Sequence, residues 1–69
     1  MLGEEEAIVI EVSSLDLHGV TYYDLSVGFP DGTARQARLG AESVPDALRK
    51  DDRVLATVVA NMVISVRRP

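Results

Sequence analysis

The segment Val54-Leu55-Ala56-Thr57-Val58-Val59 is apolar on both faces of an extended strand, and it constrains the fold more than any other part of the sequence. A strand with two apolar faces must be covered on both sides, as at the centre of a closed barrel or beneath another subunit. The chain has only 69 residues, so we expect one domain with one core. Either a barrel or a covering subunit must therefore complete the burial of this segment.

The rest of the chain also favours strands. Sixteen of the 69 residues are Val, Ile or Thr, whose branched side chains fit a pleated surface better than a helix. From Tyr23 to Phe29, apolar residues alternate with polar or small ones, a period of two that predicts a strand with one buried face. In the first strand, the same reasoning places Ile8, Ile10 and Val12 together on one face. The sequence thus predicts five strands, at residues 7–15, 20–29, 33–39, 53–59 and 62–67.

The connections between these strands carry turn signals. His18-Gly19, Pro30-Asp31-Gly32 and Ala60-Asn61 each predict a tight turn between antiparallel neighbours. Between strands 3 and 4, Ser43 is a capping residue and Pro45 suits a first helical turn, which predicts one short helical turn up to Leu48.

Five short strands cannot bury two sheet faces as an open sheet, whereas closure into a barrel removes the exposed edges. We therefore expect an all-β, five-stranded OB-like small barrel with one short helical turn between strands 3 and 4. An SH3-like barrel has its short turn between strands 4 and 5, so it fits the order of elements less well. Residues 1–6 are predicted to be an acidic N-terminal leader, and residues 7–69 a single domain.

The charge and the cysteine count exclude several classes of function. Seven basic and eleven acidic residues give a net charge of −4, the opposite sign to that of a typical duplex nucleic-acid binder. No cysteine is present, which excludes disulfides and thiolate zinc sites. The acidic N-terminus does not resemble a signal peptide, and no apolar run is long enough for a membrane span. We expect a cytoplasmic protein.

The sequence contains few candidate catalytic residues. His18 is the only histidine, and it lies in a predicted hairpin turn. None of the serines has a base near it in the sequence, as a nucleophilic site requires. Asp51-Asp52 lacks the surrounding oxygen ligands of a calcium loop, and the scattered glycines do not form a phosphate-binding loop. We expect no enzymatic activity, no metal and no cofactor.

A weak nucleic-acid face is one alternative. OB-folds stack bases on aromatic side chains of strands 2 and 3, beside basic residues that follow the backbone. Tyr22, Arg35 and Arg38 are the candidates for such a face, while Asp24 in the same neighbourhood opposes it.

The C-terminal half of the chain resembles the molybdate-binding TOBE or molbindin domain, a small OB-related barrel. The resemblance covers residues 32–65 and rests on Gly32, Ser43-Val44, Leu48, Asp52, Val54, Ala56, Ala60 and Val63. It implies an oxyanion-binding barrel that packs into oligomers. The family's ligand residues are not kept, because Val59 stands in place of a lysine and Gly40 in place of a threonine. Ser43 is the one remaining candidate oxyanion donor.

The leading interpretation is a non-enzymatic interaction module that binds a protein partner, above all its own copies, as a homo-oligomer. The doubly apolar fourth strand and the adjacent apolar segment Met62 to Val66 are its basis. Oxyanion binding and weak single-stranded nucleic-acid binding are the alternatives.

Overall fold

The computed structural model describes residues 3–69, which form one antiparallel sheet of five strands with one 3₁₀ turn. The strands are β1 (Gly3–Leu17), β2 (Val20–Gly28), β3 (Ala34–Gly40), β4 (Arg53–Val59) and β5 (Met62–Arg67). The 3₁₀ turn, Ala41–Ser43, lies between β3 and β4. Within residues 3–69, no helix has the length and apolar character needed to cross a membrane. The predicted all-β class is confirmed.

The central strand, β1, pairs with a different neighbour in each half. Its first residues, up to Ile8, pair with β4, and its residues from Ile8 onward pair with β2. The order across the sheet is β3-β2-β1-β4-β5, so β3 and β5 are the outer strands. Their Cα atoms approach within 8 Å, yet no hydrogen-bonded ladder joins them in residues 3–69. The sheet curls toward a barrel without the closure that the sequence predicts.

The core lies on the concave inner face of this sheet. Leu25 and Val27 of β2 are buried, and Tyr23 and Phe29 pack against them, as the period of two predicts. The other buried apolar residues are Ala7, Val9, Leu39, Val54, Ala56, Val63 and Val66. β4 contributes Val54 and Ala56 to the core, so one of its two apolar faces is covered within the chain.

The acidic segment expected as a leader belongs to the sheet. β1 begins at Gly3 and not at residue 7, because residues 3–6 pair with β4. Alternation puts Glu4 and Glu6 on the outer face, where Arg67 and Arg53 pair with them. Strand pairing and the two cations together make an acidic stretch compatible with a strand.

The predicted inward face of β1 is wrong at two of its three residues. Ile8 and Ile10 are 49% and 45% exposed, whereas Val9 is fully buried. The register with β4 sets Ala7 opposite Val54, so the odd-numbered residues point inward. A β-bulge between Val9 and Glu11 then shifts the parity by one residue, and Val12 packs against the core as predicted.

The helical turn lies earlier than predicted. It occupies Ala41–Ser43, whereas Val44 is extended and Ala47 has a positive φ of 57°. Ser43 is therefore the last residue of the turn and not its cap. Val44 and Leu48 pack against the core instead, so burial of these two side chains outweighs the local preference for a helix after Ser43.

All three predicted turns are formed. In the β2–β3 turn at Pro30-Asp31-Gly32, the N–H of Gly32 donates to the carbonyl oxygen of Phe29 at 3.0 Å, and Gly32 has a φ of 88°. His18-Gly19 and Ala60-Asn61 all have positive φ, between 49° and 81°, the backbone of a type I′ turn. These turns fix the registers of the β1–β2 and β4–β5 hairpins.

Candidate functional site

An open groove of about 540 Å³ runs over the outer face of β1, β2 and β3. The groove is lined mainly by outward side chains of the three strands, which are polar: Glu11, Ser13, Asp24, Ser26, Gln36 and Arg38. Its position follows from the alternation in β2, because the residues that do not enter the core form its floor.

An ion pair lies across this groove. Arg38 donates two hydrogen bonds to Asp24 across the β2–β3 pair, Nε to Oδ1 at 2.7 Å and one from Nη2 to Oδ2 at 3.2 Å. The hydrogen bond from Arg38 lowers the pKa of Asp24, and the same bond raises the pKa of Arg38. Because Glu11 adds a further negative charge, the groove is net acidic and does not attract a phosphate backbone.

The structure places two of the three predicted nucleic-acid residues on one face. Tyr22 and Arg38 lie on the outer face, where Tyr22 is half-buried. Arg35 pairs with Val27 in the register, so it belongs to the inner face, beside Asp31. Ser43, the predicted oxyanion donor, is half-buried in the 3₁₀ turn. Tyr22 therefore shares its face with one cation, Arg38, which is already paired with Asp24.

A second candidate surface covers the outer side of β1, β4 and β5; we call it the β4 outer face. Its apolar members are Ile8, Leu55, Val59, Met62 and Ile64, and Met62 is 66% exposed. A β-bulge opposite Thr57 and Val58 leaves Ile64 unpaired and 43% exposed. The outward residues of β4 itself, Leu55, Thr57 and Val59, are half-buried, and the exposed apolar side chains of this face come from the neighbouring strands β1 and β5.

Two ion pairs cross the β4 outer face. Arg67 reaches over β4 to Glu4, with Nε 2.7 Å and Nη2 2.9 Å from the carboxylate oxygens, and this hydrogen bonding lowers the pKa of Glu4. Arg53 lies 3.7 Å from Glu6. Sequence reasoning missed both pairs, because 63 residues separate Arg67 from Glu4 and only the strand registers bring them together. The face is consequently neutral in sum.

The connection before β4 is fastened by Asp52. Its carboxylate accepts a hydrogen bond from the backbone N–H of Arg49 at 2.8 Å and one from Arg68 at 3.4 Å. Arg68 also donates to the carbonyl oxygen of Asp46 at 2.8 Å. Arg68 therefore holds this connection against the sheet. The pKa of Asp52 is lowered, chiefly by the hydrogen bond from the backbone N–H of Arg49 and further by the hydrogen bond from Arg68.

The lowered pKa of Asp52 predicts a pH-dependent contribution to stability. The folded state prefers the charged form, so this contribution is present above the carboxyl's ordinary pKa of 3.8 and is lost as the pH falls below it. We expect the difference in urea midpoint between the wild type and Asp52→Asn to shrink from pH 6 to pH 2.5. Glu11→Gln, which removes a groove carboxylate outside these contacts, is the control. A difference that grows on acidification would contradict the prediction.

Other candidate chemistry is sparse in the part of the chain that the structure describes. Among residues 3–69, no three His, Asp or Glu side chains come together in a group that could hold a metal ion. His18 occupies the β1–β2 turn with a φ of 51° and is exposed, as predicted.

Comparison with models of known protein families, with curated proteins and with solved structures finds no match to this chain. The resemblance of residues 32–65 to molbindin domains therefore stays a prediction.

Proposed function

We propose that this protein is a non-enzymatic interaction module on a small OB-like barrel, and that its first partner is a second copy of itself. The contact is made by the β4 outer face. The observation that carries this proposal is an apolar surface, open to solvent, whose charges are already paired.

The apolar content of the face supports a protein partner. Ile8, Met62 and Ile64 are each more than two-fifths exposed, in a protein whose whole accessible surface is 4757 Å². A stable interface covers about 800 Å² per partner, roughly one sixth of that surface. Met62 suits such a contact, because its flexible side chain adapts to the surface that it meets.

The charge of the face supports a second copy as that partner. Two copies with a net charge of −4 each repel one another, so they meet most easily through a neutral surface. In a two-fold contact the same patch faces itself. The β4 outer face carries two acids and two bases, whereas the groove over β2 and β3 carries two acids and one base.

The order of strands supports the OB-like barrel. The outer strands, β3 and β5, lie near each other at the open seam, and the OB-fold is a partly open five-stranded barrel.

The two outer strands differ in charge. β5 has no charged residue between Met62 and Val66, whereas β3 carries Arg35 and Arg38. Charged residues on an edge discourage further strand pairing, so β5 is the more receptive edge.

Sedimentation velocity between 1 and 200 µM tests the proposal. We expect the wild type to pass from monomer to dimer in this range, and Ile64→Lys to weaken the association at least tenfold. The substitution would bury an unpaired charge at the interface.

The matched control is Val20→Lys, which adds the same charge at a residue 50% exposed on the β1–β2 hairpin. This variant should associate like the wild type. A wild type that stays monomeric at 200 µM would overturn the proposal, and so would equal losses in the two variants.

A further inference from the structure

The β1–β2 hairpin continues beyond the strands that flank it. β2 pairs with β3 only from Tyr22 to Gly28, and the ladder between β1 and β4 ends at Ile8. In residues 3–69, the part of the hairpin near its turn is thus a two-stranded ribbon with no further strand beside it. A ribbon of this kind is marginally stable unless something packs on it.

The polarity of the two strands inverts where the ribbon begins. In the body of the sheet, the outer positions Glu11, Ser13, Asp24 and Ser26 are polar and the inner positions are apolar. Toward the turn, the inner positions Asp16 and Thr21 are polar, whereas the outer positions are apolar: Leu15, Leu17, Val20 and Tyr22, of which Tyr22 still pairs with Gly40 of β3. We call these four outer residues the ribbon patch.

The ribbon patch is formed by two cross-strand pairs, Leu15 with Tyr22 and Leu17 with Val20. Leu17 and Val20 are 42% and 50% exposed. Leu15 and Tyr22 are half-buried and lie between that pair and the groove. Directly opposed side chains on one face form a continuous surface. The patch therefore offers a compact apolar contact at one end of a polar groove.

The charges around the ribbon patch indicate which kind of partner it binds. From Glu11 to Asp24, the hairpin carries three carboxylates and no Lys or Arg. Arg38 neutralises Asp24, and Asp16 lies on the opposite face, where it accepts a hydrogen bond from the Thr21 hydroxyl at 2.7 Å. Glu11, on the face of the patch, forms no ion pair with a cation among residues 3–69. A second copy would bring the same acids to a symmetric contact, so charge complementarity favours a basic partner over self-association here.

We propose that the ribbon patch and the adjoining groove bind a basic amphipathic segment of a different protein. Its apolar side chains pack on Leu17, Val20 and Tyr22, and its Lys or Arg side chains approach Glu11, the groove carboxylate on the same face. This surface is separate from the β4 outer face and does not require the protein to associate with itself.

Two synthetic 12-residue peptides are the probes, one alternating leucine with lysine and the other leucine with glutamate. Both are titrated into the full chain labelled with ¹⁵N, and the amide shifts are followed by NMR. We expect the lysine peptide to bind at least tenfold more tightly than the glutamate peptide, with shifts concentrated in residues 11–24.

Three variants locate the site. Val20→Lys should weaken lysine-peptide binding at least tenfold and Glu11→Gln about threefold, whereas Ile64→Lys on the β4 outer face should leave it unchanged. Glu11→Gln changes no core contact, so it remains informative if Val20→Lys fails to fold.

Three results would overturn the proposal: chemical shift changes centred on the β4 outer face, equal affinity for both peptides, or tighter binding of an oligo-dT probe. Self-association is measured by sedimentation without peptide, and peptide binding is measured on a different face, so either proposal can fail while the other holds.

Discussion

Replacing Val9 with Asp is expected to unfold the protein, whereas the same substitution at the neighbouring Ile8 should leave it folded. Val9 is fully buried and Ile8 is 49% exposed, although the two residues are adjacent in β1. A buried carboxylate without a partner costs several kcal/mol, and a domain of this size is stable by only about 3–10 kcal/mol in total. Val9→Asp therefore removes most or all of the free energy of unfolding.

Urea unfolding followed by circular dichroism at 2 µM compares the two variants, since a low concentration limits any contribution from association. Both introduce the same residue with the same poor strand propensity, so the difference between them reports burial alone. We expect Ile8→Asp to cost about 1 kcal/mol or less. A folded Val9→Asp beside an unfolded Ile8→Asp would mean that β1 presents its other face to the core.

This pair of residues also illustrates how far the sequence determines the fold. Ala7, Ile8, Val9 and Ile10 are apolar at both parities, so the alternation within β1 cannot choose the inward face. The choice is made by the register with β4, a partner more than forty residues away in the chain. In β2 the alternation is unambiguous, and the sequence predicts its buried residues correctly.

The candidate surfaces are also predicted by the sequence only in part. The two apolar faces of β4 are visible in the sequence, because that strand contains no polar alternation. The ion pairs that neutralise the β4 outer face depend on long-range registers, and the sequence gives no signal for them. The ribbon patch had a signal, since Leu15 and Leu17 alternate with Ser14 and Asp16. That signal becomes interpretable only once the ribbon is known to extend beyond the core.

The two proposed surfaces differ in charge, and this difference assigns them different partners. On the β4 outer face each acid has a base beside it, so a second acidic copy meets little repulsion. On the hairpin face, Glu11 forms no ion pair among residues 3–69, so the groove keeps a net negative charge that attracts a basic segment. High salt should therefore weaken peptide binding at the hairpin much more than association through the β4 outer face.

Replacing Asp51 with Pro is expected to cost at least about 3 kcal/mol of stability, although the Asp51 side chain is exposed. Its backbone has a φ of 73°, which proline cannot adopt, and its N–H donates to the carbonyl oxygen of Val9 at 2.8 Å. The return bond, from the N–H of Val9 to the carbonyl oxygen of Asp52, is 2.9 Å long. These two bonds fasten the connection before β4 to β1 at its bulge.

Asp51→Gly is the matched variant, because it removes the same side chain while it keeps the N–H and favours the positive φ. We expect this variant to be neutral or stabilised by about 0.5 kcal/mol, since an L-residue is strained in the left-handed region. Urea midpoints of both variants give the comparison. If glycine and proline destabilised the protein equally, the lost carboxylate would be responsible and not the backbone. Opposite signs would mean that the N–H and the left-handed backbone of Asp51, and not its carboxylate, hold the connection before β4 against β1.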